Sequence, residues 1–152
     1  MTRKDLKDFR NRKKYIKSKL EFLQEEETRI MNITQKLDGM PHAKNKTSYE
    51  IEKYLDEKNE ILEKELQQFK EYTNEIYEQL NQLKPLYATI LQEKYINGKS
   101  LEEVAVAVHY SYYKTFHLNG EALDEFDKLD KNKSEQKIAR KSKEKCVIIV
   151  LS

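Results

Sequence analysis

The sequence predicts an all-α protein: a long, coiled-coil-like antiparallel helical hairpin, a small helix-turn-helix domain, and a largely unstructured basic tail. Three observations carry that expectation. Apolar residues recur at alternating three- and four-residue steps through most of the first 83 positions. Only three glycines and two prolines interrupt 152 residues, of which 37% are charged. Two serines placed to cap helices, Ser100 and Ser111, open a closely spaced helix pair.

The first helix is read from Leu6, Phe9, Ile16, Leu20, Leu23, Ile30 and Leu37, a seam broken at Lys13, Glu27 and Thr34. Asp38-Gly39-Met40-Pro41 should end it, because glycine supplies a C-cap and proline cannot continue the helix. After a polar loop through Thr47, Ser48 is the expected cap of a second helix. Its seam is Ile51, Leu55, Leu62, Phe69, Ile76, Leu80 and Leu83, widened by Tyr54, Ile61, Leu66, Tyr72 and Tyr77. Matching lengths and a short connection favour an antiparallel hairpin over residues 1–83. So broad a second stripe needs a cover, and three are open: a second copy of the chain, the following domain folded back, or a subunit of a partner assembly. Tyrosines at a rim, ring covered and hydroxyl wet, are the simpler alternative.

Lys84-Pro85 marks the junction, since proline suits the first turn of a helix and disfavours helix just before it. A helix over residues 85–96 should give Leu86, Ile90 and Leu91 to a small core, stopping at Asn97-Gly98. Ser100 and Glu103 then form a capping box, and Leu101, Val104, Ala105 and Val108 make an inner face with a small residue where a second helix must come close. Ser111 caps that second helix. With Thr115, Leu118 and Leu123 turned inward, Tyr112, Tyr113, Lys114, Phe116 and His117 are left to face a groove. Two short helices joined by a tight turn point to double-stranded DNA. Short amphipathic helices with an Asn-Gly turn also occur in bundles that never touch DNA.

Residues 83–100, Leu83-Lys-Pro-Leu-Tyr through Tyr95-Ile-Asn-Gly-Lys-Ser100, together with Tyr110-Ser111 and the Gly120-Glu-Ala-Leu123 ending, resemble region 4 of sigma-70-type factors. More narrowly, residues 83–126 are similar to small phage proteins related to the phage late-transcription regulators, which join such a domain to an N-terminal helical hairpin. The resemblance implies promoter DNA as ligand and RNA polymerase as partner, in the cytoplasm of a bacterial host. It departs from the pattern twice. His109 stands at the turn position where glycine is usual, which implies a left-handed backbone at a histidine. The outward face of the second helix, often basic in that family, here carries Tyr112, Tyr113, Phe116 and Glu121 with Lys114 as its only cation, so weak or assisted DNA binding is expected.

A net charge of +2 hides segregation. Nine cations against two acids put residues 1–20 near +7, whereas nine acids against four lysines put residues 51–83 near −5. Arg10, Arg12, Lys13 and Lys14 are therefore candidate phosphate contacts beside Lys99, Ser100 and Ser111, although cations on a solvated face opposite an acidic helix would read the same way. From Asp127 onward eight cations face four acids, and residues 129–152 read as a basic, largely unstructured tail. Its apolar end, Cys146 to Leu151, could dock on the protein, add to a partner, or simply be aggregation-prone.

Chemistry is not expected. A lone cysteine gives no disulfide framework, no signal peptide is apparent, and no apolar run is long enough for a bilayer, so a soluble, cytoplasmic protein is predicted. His42, His109, His117 and Cys146 lack ligand spacing, and no phosphate loop or nucleophile elbow occurs, so no metal, cofactor, small-molecule substrate or enzymatic activity is anticipated. Glu102 and Glu103 fit a helix start, where negative charge meets the positive end of the dipole.

Overall fold

A computed structural model describes residues 1–37 and 46–150. All regular structure among them is helical: α1 (Arg3–Leu37), α2 (Lys46–Asn81), α3 (Pro85–Leu91) running into a π-helical turn (Gln92–Ile96), α4 (Leu101–Val108) and α5 (Tyr112–Val150). α2 opens before the expected cap at Ser48. The expected stop at residues 38–41, His42, the side chain of Cys146 and the last two residues lie outside what is described.

The chain divides into two compact units, Met1–Arg10 with Thr73–Ser152, and Asn11–Tyr72. This differs from the boundaries expected at residues 83/84 and 128/129. The expected boundaries rested on Lys84-Pro85 and on the onset of the basic tail, whereas the division falls inside two uninterrupted helices, α1 and α2.

In the Asn11–Tyr72 unit, Leu23 and Leu62 are buried. Ile16, Leu20, Leu55 and Leu66 are half-buried along the same seams. Polar pairs fix the register: Lys19 donates to both Glu65 oxygens (2.6 and 2.7 Å), the Tyr54 hydroxyl to Glu26 (3.0 Å) and the Asn59 amide to Glu27 (3.3 Å). Later positions on α1 thus meet earlier positions on α2. Glu65 holds the Lys19 ammonium above its ordinary range through these bonds. Tyr15, Phe22, Met31, Ile33, Tyr49, Tyr54 and Ile61 are exposed.

The other unit has the larger core. Leu6, Phe9, Ile76, Leu80, Ile90, Leu91, Ile96, Val104, Ala105, Ala122, Leu123 and Phe126 are all buried. α3 and α4 both pack on α5. Gln79 is the polar centre: its Nε2 donates to the carbonyls of Met1 and Phe126, each at 2.8 Å. Arg3 ties the start of α1 to α5, its backbone amide donating to Asp127 (2.8 Å) while its guanidinium pairs with Asp127 and Asp124 (2.6 Å to the latter).

Lys84 is extended and Pro85 occupies the first turn of α3, as expected. The helix does not run regularly to residue 96. The Asn97 amide reaches back five residues to the Gln92 carbonyl (2.9 Å), making the π turn. Ile96 lies five positions after Leu91, off the core face of an α-helix, and the wider turn brings it into the core.

The expectation of an unstructured segment from residue 129 is corrected, because α5 continues to Val150. No glycine or proline follows Gly120 in α5, and Lys, Glu, Gln, Arg and Ala are strong helix formers. Ser134 and Ser142 bond back to the carbonyls of Asp130 and Ile138, each at 3.0 Å, which keeps them inside the helix. Polarity on most sides of residues 130–145 removes a core from them without removing their backbone ladder.

Candidate nucleic-acid interface

The α4–α5 junction is built by three local devices. At the start of α4 the Glu103 amide donates to Ser100 Oγ (3.3 Å) while the Ser100 amide donates to the Glu103 carboxylate (2.8 Å), completing the box read from sequence. At its end His109 is left-handed (φ 59°, ψ 37°), and the His109 and Tyr110 amides close onto the Val106 and Ala105 carbonyls. Ser111 then accepts from the Lys114 amide (3.3 Å), and the Thr115 hydroxyl donates to the Ser111 carbonyl (2.9 Å).

These devices fix which face of α5 looks out. Thr115, Asn119, Ala122, Leu123 and Phe126 are buried, and Leu118 is half-buried. Tyr113 is 74% exposed, Phe116 54% and Tyr112 50%, with Lys114 and His117 also exposed. The rings are not independent. His117 sits edge-on to Tyr113 (centroids 4.4 Å apart) and to Phe116 (5.7 Å), so the three form one preformed cluster. The Lys114 ammonium lies 4.5 Å above the Tyr110 ring, which holds the face's one cation at the turn.

The candidate phosphate contacts separate. Lys99 pairs with Glu93, and its hydrogen bond, against burial and with help from Asn97, holds the Glu93 carboxyl below its ordinary range. Ser100 and Ser111 serve as caps. Arg10 belongs to the same unit as α4, and its guanidinium lies against Gly98, whose φ of +74° needs glycine and where any Cβ would strike that group. Arg12, Lys13 and Lys14 belong to the Asn11–Tyr72 unit, where Arg12 covers the Tyr72 ring at 4.3 Å and the two lysines are exposed.

Two features escaped the sequence reading. The acids of α5 that make this block mildly acidic are engaged internally: Asp124 and Asp127 with Arg3, Glu125 with Lys128, and Glu121 with the Tyr87 hydroxyl, whose pKa this bond raises above the ordinary value. Gly120, seven residues after Tyr113 and on the same stripe, is helical and exposed, and a Cβ there would meet nothing within 4 Å. The fold gives no reason for glycine at this position. The seven-residue spacing was the signal that could have exposed it.

Among the described residues no group of three or more His, Cys, Asp or Glu side chains could hold a metal ion, and no helix is long and apolar enough to cross a membrane. Comparison with known proteins finds no matching family model, curated sequence or solved structure.

Proposed function

We propose that this chain is a phage or prophage DNA-binding transcription regulator that uses a sigma region 4-like helix-turn-helix, α4 and α5, on promoter DNA. One observation carries the reading: two short helix starts, each closed by its own serine cap, flank a left-handed turn and leave the first two turns of α5 uncovered on one side only. Tyr112, Tyr113, Lys114, Phe116 and His117 would enter the major groove, and Arg10 would stand at the phosphates beside the start of α4. Engagement of Asp124 and Asp127 by Arg3 removes part of the repulsion that the acidic composition implies. The paired helices α1 and α2 form an antiparallel hairpin serving self-association or contact with RNA polymerase.

Gel shifts on phage promoter fragments test this. Lys114→Ala and Tyr113→Ala should each weaken binding about 5- to 100-fold, the range for loss of one good base contact. Unchanged affinity in both removes the face.

Gly120 offers a test of a different kind. In a helix interior Gly→Ala stabilises by about 1 kcal/mol, and here the added methyl meets nothing in the protein. Gly120→Ala should therefore raise the thermal midpoint by roughly 2–4 °C yet reduce affinity for the promoter fragment. A gain in both would mean that nothing approaches this stripe closely.

A second reading rests on the same face having three large aromatic side chains at least half exposed and a single cation. The chain is then a helical protein-interaction module whose helix-turn-helix is a scaffold. A stoichiometric protein partner, with no DNA retained at low salt, would favour it.

A further inference from the structure

Base recognition in the major groove uses a short list of groups, and α5 presents an unusual subset. Guanine is most often read by an arginine fork, adenine by a side-chain amide, and thymine by apolar contact with its C5-methyl. Residues 111–121 contain no Arg or Gln. Their single amide, Asn119, is buried and donates to the Tyr95 hydroxyl (3.2 Å), so it is turned away from the exposed face. Lys114 is drawn back over Tyr110. What remains outward is mostly ring surface, whose polar atoms are the Tyr112 and Tyr113 hydroxyls and the His117 nitrogens; His117 lies between Tyr113 and Phe116, and Phe116 is the wholly apolar ring.

We infer that this face recognises thymine methyl groups, so that the preferred duplex presents adjacent thymines in its major groove where Phe116 and Tyr113 arrive. The inference rests on the DNA-binding reading above and deepens it by naming what is read. The ring cluster is already packed, so little rotamer freedom is lost when it covers a methyl. Gly120 continues the stripe with no side chain, which lets the helix approach the groove wall closely beyond the rings.

Chemically edited duplexes separate the methyl from everything else. Full-length protein is titrated against alternating A·T, alternating A·U, alternating G·C and alternating G·5-methylcytosine duplexes of equal length at low salt. Uracil removes the C5-methyl while keeping the pair; 5-methylcytosine places a methyl at the same ring position of a different pair. Each methyl covered should contribute about four-fold in affinity, so A·T should exceed A·U by that factor or more, and methylated G·C should exceed G·C. Phe116→Ala should erase both preferences, bringing A·T down to the level of A·U and methylated G·C down to that of G·C. Robust binding with A·T equal to A·U overturns the inference and leaves the DNA reading standing. An A·T preference that methylated G·C fails to share assigns the effect to duplex shape and also overturns it. Binding to none of the four overturns the DNA reading and the inference with it.

Discussion

Phe126→Ala should cost about 3–5 kcal/mol, the range for truncating a buried phenylalanine. Phe126 is fully buried beside Ala122 and Leu123 on α5, and its carbonyl accepts from Gln79. The residue is diagnostic because it lies on α5 while the core it joins includes Leu6 and Phe9 from the start of α1. A drop in thermal midpoint of roughly 10 °C is expected for a chain of this size. Native-state amide exchange adds the sharper reading: protection at Leu6 and Phe9 should fall together with protection across α3 and α4. Loss confined to α3–α5, with the first ten residues as protected as before, would mean that the two ends of the chain do not share a core.

The legible parts of this fold were those fixed by residues close in sequence. Ser100 with Glu103, Ser111 with the following turn, and Lys84 before Pro85 each determine their own geometry within four positions, and each stands where the sequence put it. The left-handed backbone expected at His109 is present, at the residue that joins α4 to the turn before α5. Pairings across the chain were not legible. Leu6 and Phe9 carry the same periodicity as Leu23, so nothing local shows that the first two join residues 73–152 while the third stays with residues 11–72. Arg3 and Asp127 are an ordinary cation and an ordinary acid until folding brings them together. A polar helix and a solvated tail share one composition, which is why residues 129–150 were misread.

The candidate site follows the same division. Outward placement of Tyr112, Tyr113, Lys114, Phe116 and His117 came from helical phase, a local property, and the exposures agree with it. Engagement of the cations did not come from phase. Lys99 meets Glu93 only because a π turn and a left-handed glycine fold the segment back, and Arg12 meets Tyr72 from sixty positions away. Charge counting therefore overstated the free positive charge, through Lys99, and, through Asp124 and Asp127, the free negative charge as well.

Gln79→Glu should be strongly destabilising although isosteric, and its effect should depend on pH. Gln79 is 1% exposed and gives both amide hydrogens to carbonyl oxygens, those of Met1 and Phe126. An ionised carboxylate has no hydrogen to give, so at neutral pH two buried acceptors lose their donor and face a buried negative charge, a cost of at least about 3 kcal/mol. Burial and the facing carbonyls both favour the protonated acid, which lifts its folded-state pKa above the unfolded value. The sign follows from linkage. Below the unfolded value both states hold the proton and the deficit is smallest; as pH rises from there to the raised folded value the deficit grows, and above it the deficit is constant. A residual loss persists at low pH, because a protonated acid can serve only one of the two carbonyls. Gln79→Leu, which has no proton to exchange, should lose stability by an amount that does not vary with pH. Urea unfolding of both variants and the parent across the acidic range provides the comparison. If the deficit of Gln79→Glu were as flat with pH as that of Gln79→Leu, water would be reaching the side chain, and the junction of α1, α2 and α5 would not be the dry, donor-dependent contact on which the larger unit's integrity rests.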